Sequence, residues 1–429
     1  MFSATARLMH TPNQPQSMIS DLRALPRSFW VLFAGTFINR FGTFVWPFLT
    51  IYLTRQGYSV TEAAWAISAF GGGAILGSGL GGWLSDHIGR RHTIMLGTFS
   101  TSVCVMLLYA AGSLPVILVC SLLVGLTNGL YGPASSALLA DIVPDALRVR
   151  AYSAFRLSHN AGFACGVSIG GILATHSVFW LFAGDAVSTV LFGVIAIFWL
   201  PHGLRAQTKN APWREAFRVL KSDHAFHALW IAVLCEALIF TQFGSTYSLH
   251  IVQQGLTLDA FGFHFAPESV YGLLLGWNGT LVVLTELPLT SLVLRFDPRR
   301  VMALGYSLLG VGFGLNAWAH SILTLWLAMT IFTVGEMISA PTTSAVVSRV
   351  APERFRGRYM GVLSLAWNSA GVLGPQIGFR LFVLDPNYLW FSCAAMGLIA
   401  AATTLAFVRS DALAETKTER MKEAVPMEV

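Results

Sequence analysis

The chain has little charge. Only 11% of its 429 residues are Asp, Glu, Lys or Arg, where a soluble globular domain carries roughly 25%. That is too few to clothe a water-soluble surface of this size, and 55% of the residues are hydrophobic. A soluble enzyme is excluded, and a chain that crosses the bilayer many times is implied. Basic residues outnumber acidic ones, 27 to 21, for a net charge of +6, but they sit in short clusters between apolar runs. Nucleic-acid binders gather their bases on one face, so nucleic acid is not an expected partner. Cysteine is scarce as well. Cys104, Cys120, Cys165, Cys235 and Cys393 all lie in apolar stretches with no Cys-x-x-Cys pair. They read as small core residues, not as a disulfide framework or a zinc site. His224 and His227 stand three apart without a third ligand near them, so no metal is expected. No Gly-x-x-x-x-Gly-Lys-Ser/Thr occurs, which excludes an ATP-driven pump built on that loop. The first 28 residues are polar, carry Arg7, Arg23 and Arg27, and hold no apolar core before Phe29. They read as a soluble tail, not a signal peptide.

What is abundant is apolar sequence in runs of membrane-crossing length, about 20 residues for a helix. Such runs lie near 29–53, 62–83, 92–112, 114–140, 150–173 and 178–200, and then near 226–250, 269–294, 299–319, 321–349, 357–383 and 387–408. They define twelve spans, numbered here 1 to 12, in an all-α membrane protein. Two six-helix halves cover 29–200 and 226–409, a polar linker covers 201–225, and tails cover 1–28 and 410–429. Lys and Arg collect in cytoplasmic loops. With both termini cytoplasmic, all 27 bases fall on that side except Arg40, Arg55 and Arg380. Between Lys221 and Arg295 there are none, so the loop at 250–268 faces out. In the linker, Trp213, Phe217 and Leu220 recur at helical spacing beside Arg205, Lys209, Arg214, Arg218 and Lys221. Two readings stay open there: a helix lying against anionic lipid headgroups, or a solvated tether.

Residues 133–170 align without a gap on 341–378, an offset of 208. Pro133 matches Pro341, Arg148 and Arg150 match Arg356 and Arg358, Asn160 matches Asn368, and Gly166 and Gly170 match Gly374 and Gly378. Six spans separate the copies, so both keep one orientation in the membrane. Parallel six-helix halves are a transporter architecture. Between spans 2 and 3 the chain reads Gly82-Trp-Leu-Ser-Asp86-His-Ile-Gly89-Arg90-Arg91. On this motif within a twelve-span layout the chain resembles the major facilitator superfamily of secondary transporters. Their pattern here is Gly-x-x-x-Asp-Arg/Lys-x-Gly-Arg-Arg/Lys, and only His87 departs from it. The resemblance covers roughly residues 29–408 and implies the major facilitator fold, with two halves rocking about a central site. It also implies a conformational latch made by Gly82, Asp86, Gly89, Arg90 and Arg91 with Asp141 at the end of span 4. In that latch Gly82 admits a close helix and Gly89 a tight turn. Asp86 accepts from free amides at the start of span 11, and Arg90 pairs with Asp141. A worn second copy reads Arg295-Phe-Asp297-Pro-Arg299-Arg300.

Span 5 carries Gly162-Phe-Ala-Cys-Gly166-Val-Ser-Ile-Gly170-Gly171. Glycines four apart form a groove for a neighbouring helix, and the run resembles the superfamily's antiporter motif with Val167 at its proline position. Against that branch, the span-4 arginine of many drug/proton antiporters falls on Gly125. Ionisable residues inside spans are costly and mark function. Here they are Arg40, Asp185, Glu236, Glu286 and Glu336, in spans 1, 6, 7, 8 and 10. Burial penalises a charged carboxyl, so such an acid takes a proton from one side and releases it when access changes. Glu336 is the first candidate for proton coupling, because Gly335-Glu336-Met-Ile-Ser-Ala-Pro341 is similar to a span-10 signature of multidrug/proton antiporters. Glu236 and Glu286 follow, and Glu286 is equally open to a cationic substrate. Asp185 is expected to satisfy polar groups near the outer end of span 6, and His159 to be a packing residue. Arg40 is open between a structural counter-ion and an anchor for an anionic substrate group. Phe44, Phe240, Phe243 and Tyr247 are expected to wall the substrate cavity with Arg40. The expected function is proton-coupled export of lipophilic or amphipathic, often cationic, small molecules by alternating access. It needs no catalytic residue and no cofactor beyond the proton, and the chain is expected to work as a monomer among membrane lipids. The alternative is a proton symporter importing a nutrient or organic anion, with Arg40 as its anchor.

Overall fold

A computed structural model describes residues 22–144, 147–203, 219–260, 262–293, 295–350 and 356–408. The segment around Trp213 and Phe217 and the two tails lie outside the described residues. The apolar runs fold, in order, into helices. Spans 2 to 6 are Val60–His87, Arg90–Tyr109, Leu114–Ile142, Arg148–His176 and Val178–Trp199, and spans 8 to 12 are Pro267–Val293, Pro298–Gly314, Ile322–Val350, Arg356–Leu384 and Pro386–Phe407. Spans 1 and 7 are each broken in two, Arg27–Phe41 with Val45–Arg55 and His224–Phe243 with Thr246–Gln254. Among the described residues, eight helices are individually long and apolar enough to cross a membrane. The other four are the broken span 1, the 17-residue span 9, and spans 8 and 11.

Local chemistry sets the helix ends. Ser59 and Glu62 form a reciprocal capping box at the start of span 2, which satisfies two of the amides that a helix leaves unpaired. Asp223 accepts from the Phe226 amide at 2.9 Å to begin span 7, and Asp297 accepts from the Arg299 amide at 3.2 Å to begin span 9. Gly89 turns the chain between spans 2 and 3 at φ +97°, a conformation that costs a side chain about 1–2 kcal/mol. The loop after span 7 begins at Gly255 and holds a short antiparallel hairpin, Leu258–Ala260 on Phe263–Phe265.

Spans 2 and 4 form the most extensive contact, and spans 9, 10 and 12 pack together in the second half. The halves meet along spans 5 with 8 and 2 with 11, and through the second helices of the broken spans 1 and 7. Large apolar side chains such as Val103, Leu284, Leu323 and Val383 are exposed on the outside of the bundle, as a lipid-facing surface requires.

Candidate functional site

The halves enclose a cavity of about 460 Å³, a size that accommodates a drug-sized molecule. Its first-half wall includes Arg40, Trp46, Phe70, Asn128, Tyr131, His159, Asn160 and Phe163, and its second-half wall includes Phe240, Phe243, Asn278, Glu336 and Asn368. The bundle has one face carrying Arg90, Arg91 and Arg148 and a far face carrying Arg55, Glu268 and the hairpin. Contacts between halves concentrate toward the far face. There a β-carbon on Gly171 would stand 2.9 Å from the Glu268 carbonyl, and the Tyr271 hydroxyl donates to the carbonyls of Pro47 and Phe243. Arg55 pairs with Glu268 and donates to the Ala174 carbonyl at 3.1 Å. On the basic face, by contrast, Gly79 and Gly82 have nothing among the described residues within 4 Å of where a β-carbon would sit. The far face is shut, and the cavity extends toward the basic face, where Ser78, Pro133 and Val282 line it.

Two breaks shape the cavity. Span 1 breaks at Phe41-Gly42-Thr43, and Asp185 of span 6 receives the amides of Phe44 and Val45 at 3.2 and 3.0 Å. It thereby satisfies donors exposed by the break, near the outer end of span 6. Span 7 breaks at Phe243-Gly244-Ser245, and the Trp46 indole lies over Gly244 where a side chain would collide. Each break resets the helical register beyond it. That is why Phe44 and Tyr247 do not line the cavity, contrary to the sequence expectation. Phe44 is buried against Gly170 and Gly184. Tyr247 is fully buried among Tyr271, Phe313 and Trp390. Arg40, Phe240 and Phe243 do line it.

The acids of the second half occupy three environments. Glu336 lines the cavity and accepts from Asn278 Nδ2 at 2.9 Å. Glu236 is buried behind it and accepts from Ser339 Oγ at 2.7 Å. Glu286 pairs with Arg156, which reaches across from span 5 of the first half and acts electrostatically on Glu336 as well. Arg156 and Asn278 were missed in the sequence. Arg156 sits close enough to Arg148 and Arg150 to count as one more cytoplasmic base, yet it lies two turns inside span 5.

Between spans 2 and 3, Arg90 is buried and bonds Asp86 at 2.5 Å and Ser85 and Asp141 at 3.3 Å each. Arg91 donates to the Ile197 carbonyl of span 6. The approach of Asp86 to the start of span 11 falls at 351–358, whose surroundings lie outside the described residues. In span 5, Gly162 and Gly166 lie under the Phe37 and Phe41 carbonyls of span 1, Gly170 faces Phe44 and Phe48, and Gly171 faces span 8. His159 lines the cavity beside Asn160.

The Arg55–Glu268 pair also explains a base on the sparsely charged outer side. An exposed or half-exposed ion pair contributes about 1 kcal/mol, a factor of about five in a two-state population. Arg55→Gln is therefore expected to raise, by roughly that factor, the rate at which a membrane-impermeant maleimide labels Ser269→Cys in a background without native cysteines. An unchanged rate would show that the pair does not hold this face shut.

Two six-helix halves around one central cavity define a multi-pass membrane transporter, not an enzyme. The chain belongs to the Major Facilitator Superfamily, whose profile matches residues 32–267 and 259–428. It is 30% identical to the uncharacterized MFS-type transporter YttB of Bacillus subtilis (strain 168), over 89% of this chain and 96% of that protein. It is 25% identical to a Na(+), Li(+), K(+)/H(+) antiporter of Planococcus maritimus, over 85% of this chain and 90% of that one. The quinolone resistance protein NorA of Staphylococcus aureus (strain MSSA476) is 23% identical over 92% of this chain and all 100% of its own. Among solved structures, a mutant of the nucleoside transporter NupG superposes with a TM-score of 0.76 at 13% identity, over 89% of this chain and 100% of that one, a likeness of fold.

Proposed function

We propose that the protein is a proton-coupled antiporter that exports amphipathic small molecules across the cell membrane, with its basic face and both termini in the cytoplasm. The observation that carries this reading is Glu336, the one acid lining the aromatic cavity among the described residues. It is flanked by the buried Glu236 and by the Arg156–Glu286 pair. Relatives named as a cation/proton antiporter and a quinolone resistance protein support the direction.

In the state described here the cavity faces the cytoplasm. Substrate enters between the aromatic walls while Glu336 gives its proton to the cytoplasm. With the cavity turned outward, the substrate leaves and Glu336, now meeting the external medium, takes a proton. Neutral Glu336 then crosses back at less cost than a buried charge would incur. Arg90 pairs with Asp86 and Asp141 already in the state described here and ties spans 2, 3 and 4 together. The latch closes when this cluster meets span 11 as the cavity turns outward, and the span-5 glycines keep spans 1 and 5 close enough to move together. Glu236 and Glu286 serve as secondary proton sites. One chain builds the whole cavity, so a monomer suffices.

Purified protein in liposomes with an internal pH dye tests the reading. With a proton gradient imposed, adding an amphipathic substrate should drive protons and substrate in opposite directions. Movement in the same direction would make the protein a symporter.

A further inference from the structure

Arg40 is hard to account for as a structural residue. A guanidinium in mid-membrane is costly and normally has a carboxylate or carbonyl partner. Arg40 takes part in none of the ion pairs among the described residues, and its Nε is buried without a hydrogen-bond partner. Asp185 feels its charge, but that carboxylate is committed to the Phe44 and Val45 amides. What Arg40 does have is the Tyr131 ring, 5.2 Å from its guanidinium carbon. The ring fixes the orientation of the group and leaves its hydrogen-bonding edge free. Arg40 also lines the same cavity as Trp46, Phe70, Phe163 and Phe240. A guanidinium presents a planar fork of donors that matches a carboxylate, and here the fork stands in a largely aromatic cavity with no hydrogen bond to a protein acceptor among the described residues.

We infer that Arg40 is an anion subsite, and that the substrates are amphipathic organic acids whose carboxylate binds Arg40 while an aromatic body fills the cavity. The inference rests on the exporter reading for its physiological sense but not for its test. It narrows that reading from amphipathic molecules in general to acids, and it places the anion on the first half, opposite Glu336 on the second. A bound carboxylate then supplies the counter-ion that Arg40 lacks. An aromatic amine without an acid group would leave the guanidinium both desolvated and unpaired.

The test is equilibrium binding to the purified full-length protein, without a proton gradient, of three matched probes: 1-pyrenebutyrate, its primary amide and the corresponding amine. The wild type should bind the carboxylate at least about tenfold more tightly than the amide, the yield of one charge-assisted contact. Arg40→Gln should remove that preference, bringing the carboxylate and amide affinities to within about twofold of each other, while Arg40→Lys restores only part of it because a point charge lacks the fork. Equal wild-type affinity for carboxylate and amide overturns the subsite, whatever the stability of the variants. A carboxylate preference that survives Arg40→Gln overturns it as well. Neither result touches the proton reading, which fails separately if gradient-driven transport persists without the Glu336 carboxyl.

Discussion

Glu336→Gln is expected to uncouple transport from the proton gradient completely while preserving substrate binding. With the membrane potential clamped at zero, one proton exchanged for one substrate converts a pH difference of one unit, 1.36 kcal/mol, into about a tenfold substrate ratio across the membrane. Wild-type proteoliposomes should approach that ratio, and the variant should stop near unity. The substitution keeps the shape of the side chain and an oxygen that accepts from Asn278 Nδ2, which lies 2.9 Å away. What it removes is the exchangeable charge. The cavity wall is otherwise unchanged, so equilibrium affinity should move by less than about threefold, under 1 kcal/mol. Glu236→Gln serves as the comparison. Glu236 is enclosed and held by Ser339, away from the cavity, so its loss should slow the exchange without setting the ratio to unity. A Glu336→Gln protein that still builds a tenfold ratio would move the coupling site elsewhere.

Much of this architecture was legible in the sequence because it follows from bulk chemistry. Twenty-residue apolar runs have few alternatives to helices in lipid, and the repeat at an offset of 208 residues implied the parallel halves directly. The breaks were not read, although the signal was present. Phe41-Gly42-Thr43 and Phe243-Gly244-Ser245 stand at equivalent places in the two halves, each a glycine followed by a hydroxyl residue where a helix gives way. Reading through them as continuous helix put Phe44 and Tyr247 on the wrong face. Arg156 was hidden for a different reason. Its partner Glu286 is 130 residues away in the other half, and no local pattern announces a contact made between two rigid bodies. Asn278 was passed over because neutral amides carry no charge to flag them. Its importance comes from holding Glu336 and Thr333 together at 2.9 Å each.

Gly125→Ala is expected to destabilise the protein by about 3 kcal/mol or more, at the upper end of overpacking penalties. A single β-carbon there would overlap the Phe70 carbonyl oxygen, a backbone atom that cannot rotate away. The same close approach is made by Gly73 against the Leu122 carbonyl, by Gly77 against Leu126, and by Gly129 against Ala74. Spans 2 and 4 therefore touch backbone to backbone along several turns, the contact that small residues permit in a membrane. Gly132→Ala is the control. It lies on the same helix with nothing within 4 Å, so it should be neutral or slightly stabilising, given the better helix propensity of alanine. Thermal unfolding of the two purified variants measures the difference, and matching midpoints would mean that the two spans can separate without penalty. The consequence reaches the mechanism. Many drug/proton antiporters carry an arginine where Gly125 stands, and this packing leaves no room for any side chain. A proton relay through a side chain at position 125 is sterically closed to this chain. Among the described residues, the ionisable groups around the cavity are instead Arg40 from span 1, Arg156 and His159 from span 5, and the carboxylates of spans 7, 8 and 10. On the reading proposed here, the first half contributes fixed positive charge and the second half contributes the acids that exchange protons.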